Sequence, residues 1–310
     1  MIRRLVLLAS VLSVVPLGVA WAISQRVLHP PRKQEDHDLN DFDLPAKDVT
    51  FFSSDGTRLS GWFIPAPGVG PSPAVVLSHG WSRSRCELLP HADILHRAGF
   101  AVLMFDYRHR GESGGAAITM GLRERDDLSA AIDTLASRPE VDPARVGVFG
   151  MSMGSVVAIL VAAEDQRVRA LTVEAPYSSQ DTLMTRSLQH YFKLPTLGIG
   201  AVAKRVIDLR LGEPLALANA RDAVQSHSPR PVYVIADEHD AVVGCDETER
   251  VFEAALEPKR FWLIPGADHA RGWQAAPEEY ERRLVAFFRD TLARQREPLA
   301  VTSDASAGNR

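Results

Sequence analysis

From residue 49 onward, two hydrophobic patterns alternate along the chain. Short runs rich in β-branched and aromatic residues read as strands at 49–52, 59–64, 74–77, 101–105, 145–149, 171–173, 232–235 and 261–264. Between them, apolar residues recur at helical spacing. The stretch 88–98 ends at Gly99, which suits a left-handed helix stop. The stretch 122–135 puts Leu128, Ile132 and Leu135 on one face, and 278–294 forms a closing amphipathic helix. The first two runs flank Ser54-Asp55-Gly56-Thr57, a hairpin signal. The runs at 74–77 and 101–105 are continuously apolar, as expected of parallel strands buried on both faces. The alternation predicts an α/β domain: a mostly parallel eight-stranded sheet with helices on both faces, its ligands beyond the carboxyl ends of the strands.

Ahead of this domain the pattern changes. Arg3 and Arg4 precede an uncharged run from Leu5 to Ser24. A run of about twenty apolar residues fits the bilayer core, and the preceding charges would keep the N-terminus cytoplasmic. The catalytic domain would then be membrane-anchored outside the cytoplasm, with membrane association through residues 5–24. A cleaved signal peptide fits as well, leaving a secreted or periplasmic protein: Leu5 to Val15 is a short apolar core, Pro16 breaks it, and Ala20-Trp21-Ala22 resembles a cleavage site. Both readings make residues 1–28 a separate segment. They are followed by a linker at 29–46, the main domain at 47–295 and a small-residue, polar tail at 296–310 that reads as disordered.

Composition narrows the partners. Of 310 residues, 45% are hydrophobic and 24% charged, as in an ordinary globular domain. A net charge of -4, without a basic stripe, predicts no nucleic-acid partner. Cys86 and Cys245 are too few for a disulfide scaffold or a zinc site, and the sequence leaves open whether they pair.

The candidate chemistry gathers at strand ends. Gly150-Met151-Ser152-Met153-Gly154 lies between a strand and a helix. A serine flanked by glycines at such a turn is held in a strained backbone with its hydroxyl above the sheet. His79-Gly80-Trp81, Asp106 to Gly115, Asp237-Glu238-His239-Asp240 and Gly266-Ala267-Asp268-His269 follow other strands. These motifs resemble the α/β-hydrolase superfamily, and more narrowly its serine-aminopeptidase-like and Bem46-like branch, over residues 48–292. His109 departs from that branch, standing where the D-Y-R-G-x-G-x-S-x-G motif has glycine.

The resemblance implies a catalytic triad of Ser152, His269 and Asp240, in the chain order of this fold. The serine needs a base, and the histidine needs a carboxylate to fix its tautomer. Asp237, nearer its strand end, and Glu174, at the end of the sixth strand, are rival acids. Asp268 adjoins His269 and is badly directed, and His239 reads as a loop residue. The family position assigns the oxyanion-hole N–H groups to Trp81 and Met153, with His79 bracing the loop. Residues 177–228 are too long for a plain connection. With Leu183, Leu188, Tyr191, Phe192, Leu194, Leu197 and Ile199, they read as a small helical cap over the serine. The expected activity is hydrolysis of a carboxylic ester through an acyl-enzyme, with short or medium acyl chains. The alternatives are a peptidase or amidase with the same triad, or a non-catalytic binding protein on this scaffold. The substrate is a small-molecule ester or amide, and no cofactor or metal is implied.

Overall fold

The computed structural model describes residues 16–31, 35–192 and 198–293. The apolar run at residues 5–15, the tail at 296–310 and the cap residues Leu194 and Leu197 lie outside them. Eight strands form one sheet: β1 Lys47–Phe52, β2 Arg58–Ile64, β3 Ser72–Ser78, β4 Ala101–Phe105, β5 Val141–Met151, β6 Val168–Glu174, β7 Val232–Asp237 and β8 Lys259–Ile264. Their order is β1-β2-β4-β3-β5-β6-β7-β8. β2 runs antiparallel to β1 and β4, and every other neighbouring pair is parallel. The predicted mostly parallel eight-stranded sheet is therefore present, hairpin included.

The helices are α1 at residues 16–28, then α2 Leu89–Arg97, α3 Glu124–Ala136, α4 Met153–Glu164, α5 Gln180–Phe192, α6 Ile199–Leu211, α7 Ala220–Ala223, α8 Cys245–Ala254, α9 Gly272–Ala275 and α10 Pro277–Leu292. Alternate residues of the central strands point to opposite faces. Val76 and Leu103 join the core under α1, α3 and α4, while Val75, Leu77, Val102 and Met104 join the core under α2 and α10. Burial on both sides is why these strands read as continuous apolar runs.

One boundary differs from the sequence reading. Residues 1–28 read as a segment apart from the domain, yet α1 packs onto it. Ala20, Ile23 and Leu28 lie in the first core. Trp81 Nε1 donates to the Val27 carbonyl at 2.9 Å, Ile118 N to the Leu28 carbonyl at 2.9 Å and Arg110 to the Pro30 carbonyl at 3.0 Å. Among the described residues no helix is long and apolar enough to cross a membrane. The physical reason for the difference is amphipathic spacing within an uncharged run. Residues 20, 23, 24 and 28 form one buried stripe that hydropathy alone does not separate from its neighbours. Cys86 and Cys245 are both free thiols.

His109, standing where the related motif has glycine, takes a left-handed backbone conformation. At φ 62°, this costs a non-glycine residue about 1–2 kcal/mol.

Candidate active site

The serine turn is built by exclusion. Ser152 has φ 55° and ψ -119° between the end of β5 and the start of α4, a strained geometry worth about 1–3 kcal/mol. A Cβ on Gly150 would meet the Gly154 carbonyl oxygen at 2.4 Å, and one on Gly154 would meet the Ser78 carbonyl oxygen at 2.2 Å. Only glycine fits at either side. Ser152 N donates to the Glu174 carbonyl at 2.9 Å, and Ser155 Oγ donates to the Gly150 and Glu174 carbonyls at 2.8 and 2.5 Å. The strained turn is thus fastened to β6.

Three side chains predicted from different strand ends meet here. Ser152 Oγ lies 2.9 Å from His269 Nε2, and His269 Nδ1 lies 2.7 Å from Asp240 Oδ2. Because the Asp240 carboxylate accepts, Nδ1 carries a proton and the neutral ring presents Nε2 as acceptor to the serine hydroxyl. Burial pushes the Asp240 carboxyl up, but the hydrogen bond and charge of His269 outweigh it, joined by the Val242 and Val243 N–H donors, and hold it below its ordinary value. Those two N–H groups lie 2.8 Å from Asp240 Oδ1.

The rival acids sit elsewhere. Asp237 Oδ2 accepts the Ala270 N–H at 2.8 Å, and Glu174 Oε1 accepts the Gly272 N–H at 3.0 Å. Glu174 also accepts the Tyr280 hydroxyl. Both carboxyls therefore hold the main chain just after His269 and do not touch its ring. Burial, then the neighbouring Glu174 charge, pushes Asp237 up to about 9. Burial likewise raises Glu174. His239 is exposed beside Glu238, at 3.8 Å.

The loop after β3 is fixed from two sides. His79 is fully buried, and burial brings it down to about 4. Its Nε2 accepts the Tyr107 N–H at 3.0 Å, so the proton sits on Nδ1, which donates to the Gly80 carbonyl at 2.7 Å. The Gly80 N–H donates to Glu87 Oε2 at 3.0 Å. With both ends of Gly80 held, the next N–H, that of Trp81, is not engaged by another acceptor among the described residues. Met153 opens α4, where the first helical N–H has no partner within the helix. Sequence reasoning missed Glu87; its only signal is an acidic residue seven positions after the glycine it holds.

The Asp106 to Gly115 motif braces this loop. Arg85 pairs with Asp106 at 3.0 Å and Glu112 at 2.6 Å and stacks over Trp62 at 4.0 Å. Arg108 pairs with Asp127 at 2.6 Å and Asp55 at 2.8 Å. Tyr107 hydroxyl meets Ser78 Oγ at 2.5 Å.

A cavity of about 460 Å³ opens over Ser152 and His269, within the usual range for small-molecule sites. Trp81, Met120 and Met153 line it from the domain, Tyr177, Leu183 and Met184 from the cap region, and Ile23, Arg26 and Val27 from α1. Of these cap-region residues, Leu183 and Met184 belong to α5. Among the described residues no cluster of His, Cys, Asp or Glu has the geometry of a metal site.

A family model described as serine aminopeptidase, S33, matches residues 70–210. The uncharacterized protein Rv2307c of Mycobacterium tuberculosis is 35% identical over 228 residues, 73% of each chain. The uncharacterized protein YfhR of Escherichia coli (strain K12) is 29% identical, covering 80% of this chain and 82% of the other. Among solved structures, the Pyrococcus furiosus esterase Pf2001 superposes with a TM-score of 0.71 at 27% identity, covering 86% of this chain and 98% of that one.

Proposed function

Because the chain belongs to the α/β-hydrolase superfamily, with the serine aminopeptidase (S33) model as its family match, we propose that this hydrolase is a serine esterase acting through an acyl-enzyme. One observation carries the reading: the unbroken hydrogen-bonded series from Ser152 Oγ through His269 to Asp240, at 2.9 and 2.7 Å. Ser152 Oγ attacks the ester carbonyl as its proton passes to His269 Nε2. The imidazolium is stabilised by ionised Asp240. The Trp81 and Met153 N–H groups receive the oxyanion, and preorganised donors of this kind lower such barriers by about 3–4 kcal/mol each. His269 returns the proton to the leaving alkoxide. Water, deprotonated by the same nitrogen, then releases the acid and frees Ser152.

The esterase named among the structural neighbours and the apolar walls of the cavity favour an ester with a short or medium acyl chain. The family model's description as an aminopeptidase keeps amide hydrolysis as the second reading. A fluorophosphonate probe should label Ser152 and no other residue, and Ser152→Ala should abolish labelling with little change in thermal stability. Parallel assays of graded p-nitrophenyl esters and aminoacyl-p-nitroanilides separate ester from amide. Folded protein that resists the probe and cleaves neither series would defeat the proposal.

A further inference from the structure

Glu174 takes no part in the proton transfer, yet it touches both halves of the catalytic pair. It ends β6, between β5 and β7, and is fully buried. Its carbonyl accepts the Ser152 N–H at 2.9 Å and the Ser155 hydroxyl at 2.5 Å. Its side chain reaches the histidine loop, where Oε1 accepts the Gly272 N–H at 3.0 Å, three residues past His269. The other carboxyl oxygen accepts the Tyr280 hydroxyl from α10. A buried carboxyl is thus divided between the loop that carries the base and a tyrosine that aims it.

Backbone strain gathers around these contacts. Ser152, Ala175 and Ala270 have φ 55°, 50° and 56°, in the left-handed region. The first is bonded to Glu174, the second follows it in the chain, and the third lies between His269 and Gly272. Strain of this kind persists only where the surroundings over-determine it. The fit at Gly272 is close as well. A Cβ there would come within 3.0 Å of Glu174 Oε1 and 2.4 Å of Ile264 Cδ1, so the main chain after His269 lies directly against the carboxyl.

We propose that Glu174 is a positioning residue: its main chain fixes Ser152, its side chain, aimed by Tyr280, fixes the loop of His269, and the length of that side chain sets the 2.9 Å between Ser152 Oγ and His269 Nε2. The assignment rests on the reading of Ser152 as nucleophile and His269 as its base. Reach, not charge, is what the role requires, since a main-chain N–H needs only an acceptor. Glutamine keeps an acceptor at the same reach, and its amide can donate to the Tyr280 hydroxyl. Aspartate keeps the carboxyl but is shorter by one carbon–carbon bond, about 1.5 Å. The loop must then follow the shortened side chain or lose its anchor, and a misplacement of about 1 Å between reacting groups costs roughly a hundredfold in rate.

The test uses the full chain with p-nitrophenyl butyrate and a fluorophosphonate probe, with rates counted per folded molecule. Glu174→Asp should lower kcat about a hundredfold and leave KM within twofold, because His269 serves acylation and deacylation alike. Glu174→Gln should stay within about fivefold of wild type. Tyr280→Phe should lower kcat several-fold at unchanged KM, and adding it to Glu174→Asp should cost nothing further, since it acts through the same carboxyl. Equal losses in Glu174→Asp and Glu174→Gln would mean that charge matters and reach does not, and would overturn the proposal. So would a Glu174→Asp variant with a lowered Tm and wild-type kcat, the mark of a merely structural carboxyl. Should Glu174→Asp not fold, a hundredfold loss in Glu174→Gln, or wild-type kcat in Tyr280→Phe, overturns it instead. A wild type that the probe does not label removes the serine reading itself. A labelled wild type whose labelling rate matches that of Glu174→Asp removes only the role of Glu174.

Discussion

Single residues decide which carboxylate serves the histidine. Asp237 and Asp240 share one loop, and the order of motifs alone left both open. The structure separates them by what they accept: Asp240 takes the His269 ring N–H, and Asp237 takes the Ala270 main-chain N–H. Asp240→Asn should therefore lower kcat by roughly 10⁴, the loss typical when a triad's acid is neutralised. Asp237→Asn keeps an acceptor for Ala270 and should change kcat only several-fold. Stability distinguishes them again. Burial raises Asp237 from 3.8 to about 9, so between those values the native protein holds a proton that the unfolded chain has released. Wild-type stability then falls as pH rises through that window, and asparagine has no proton to hold. The Tm of Asp237→Asn should gain on wild type from pH 5 to pH 8. Equal melting shifts at both pH values, or a kcat loss matching that of Asp240→Asn, would refute the assignment. The serine and histidine were legible because glycine spacing and strand ends constrain them. Glu87 and Glu174 were not, since a buried carboxylate that holds main-chain N–H groups leaves no periodic trace.

At the scale of elements, what the sequence disclosed depended on which side chains were buried. The central strands were legible because most of their buried residues are apolar, with buried polar ones such as Ser78, Glu174 and Asp237 at their carboxyl ends. α8 was not, because its buried face includes Glu247 and Thr248 beside Val251, and Glu247 accepts the Ser178 N–H at 3.2 Å. α1 failed for the opposite reason: an unbroken apolar run hides the stripe that packs. That packing bears on the cleavage motif at Ala20-Trp21-Ala22. Cutting after Ala22 would remove buried Ala20 and create a charged amine at Ile23, which is 2% exposed. A cation at a helix N-terminus opposes the helix dipole. N-terminal sequencing of the protein recovered from cells should accordingly find residues 20–22 retained. A first residue of Ile23 in the folded, active protein would refute this.

For the whole molecule, strand order and two-sided burial place every predicted motif at one edge of the sheet, which is why fold and site could be read together. The same burial gives the molecule its response to acid. His79, His91 and His227 are buried, and burial lowers them to about 4, about 3 and about 4. His91 is the cleanest probe, packed between Phe149 and Tyr280 with ring centroids at 4.7 and 5.4 Å and away from the serine. Its Nε2 lies 3.3 Å from the Tyr280 hydroxyl, and its Nδ1 has no hydrogen-bond partner among the described residues. Below its ordinary value of 6.5 the unfolded chain takes up a proton at this ring, while the folded protein refuses it until about 3. The stability this residue contributes is thus complete above 6.5 and declines as pH falls, by up to about 1.4 kcal/mol per pH unit. His91→Leu removes that proton from the balance. At pH 7 the variant should melt below wild type, because the Tyr280 contact is lost. By pH 5 the gap should narrow or reverse, since only wild type continues to lose stability through this site. Calorimetric melts at pH 7, 6 and 5 decide it, and parallel curves would mean that the ring is charged, or solvated, in the folded protein.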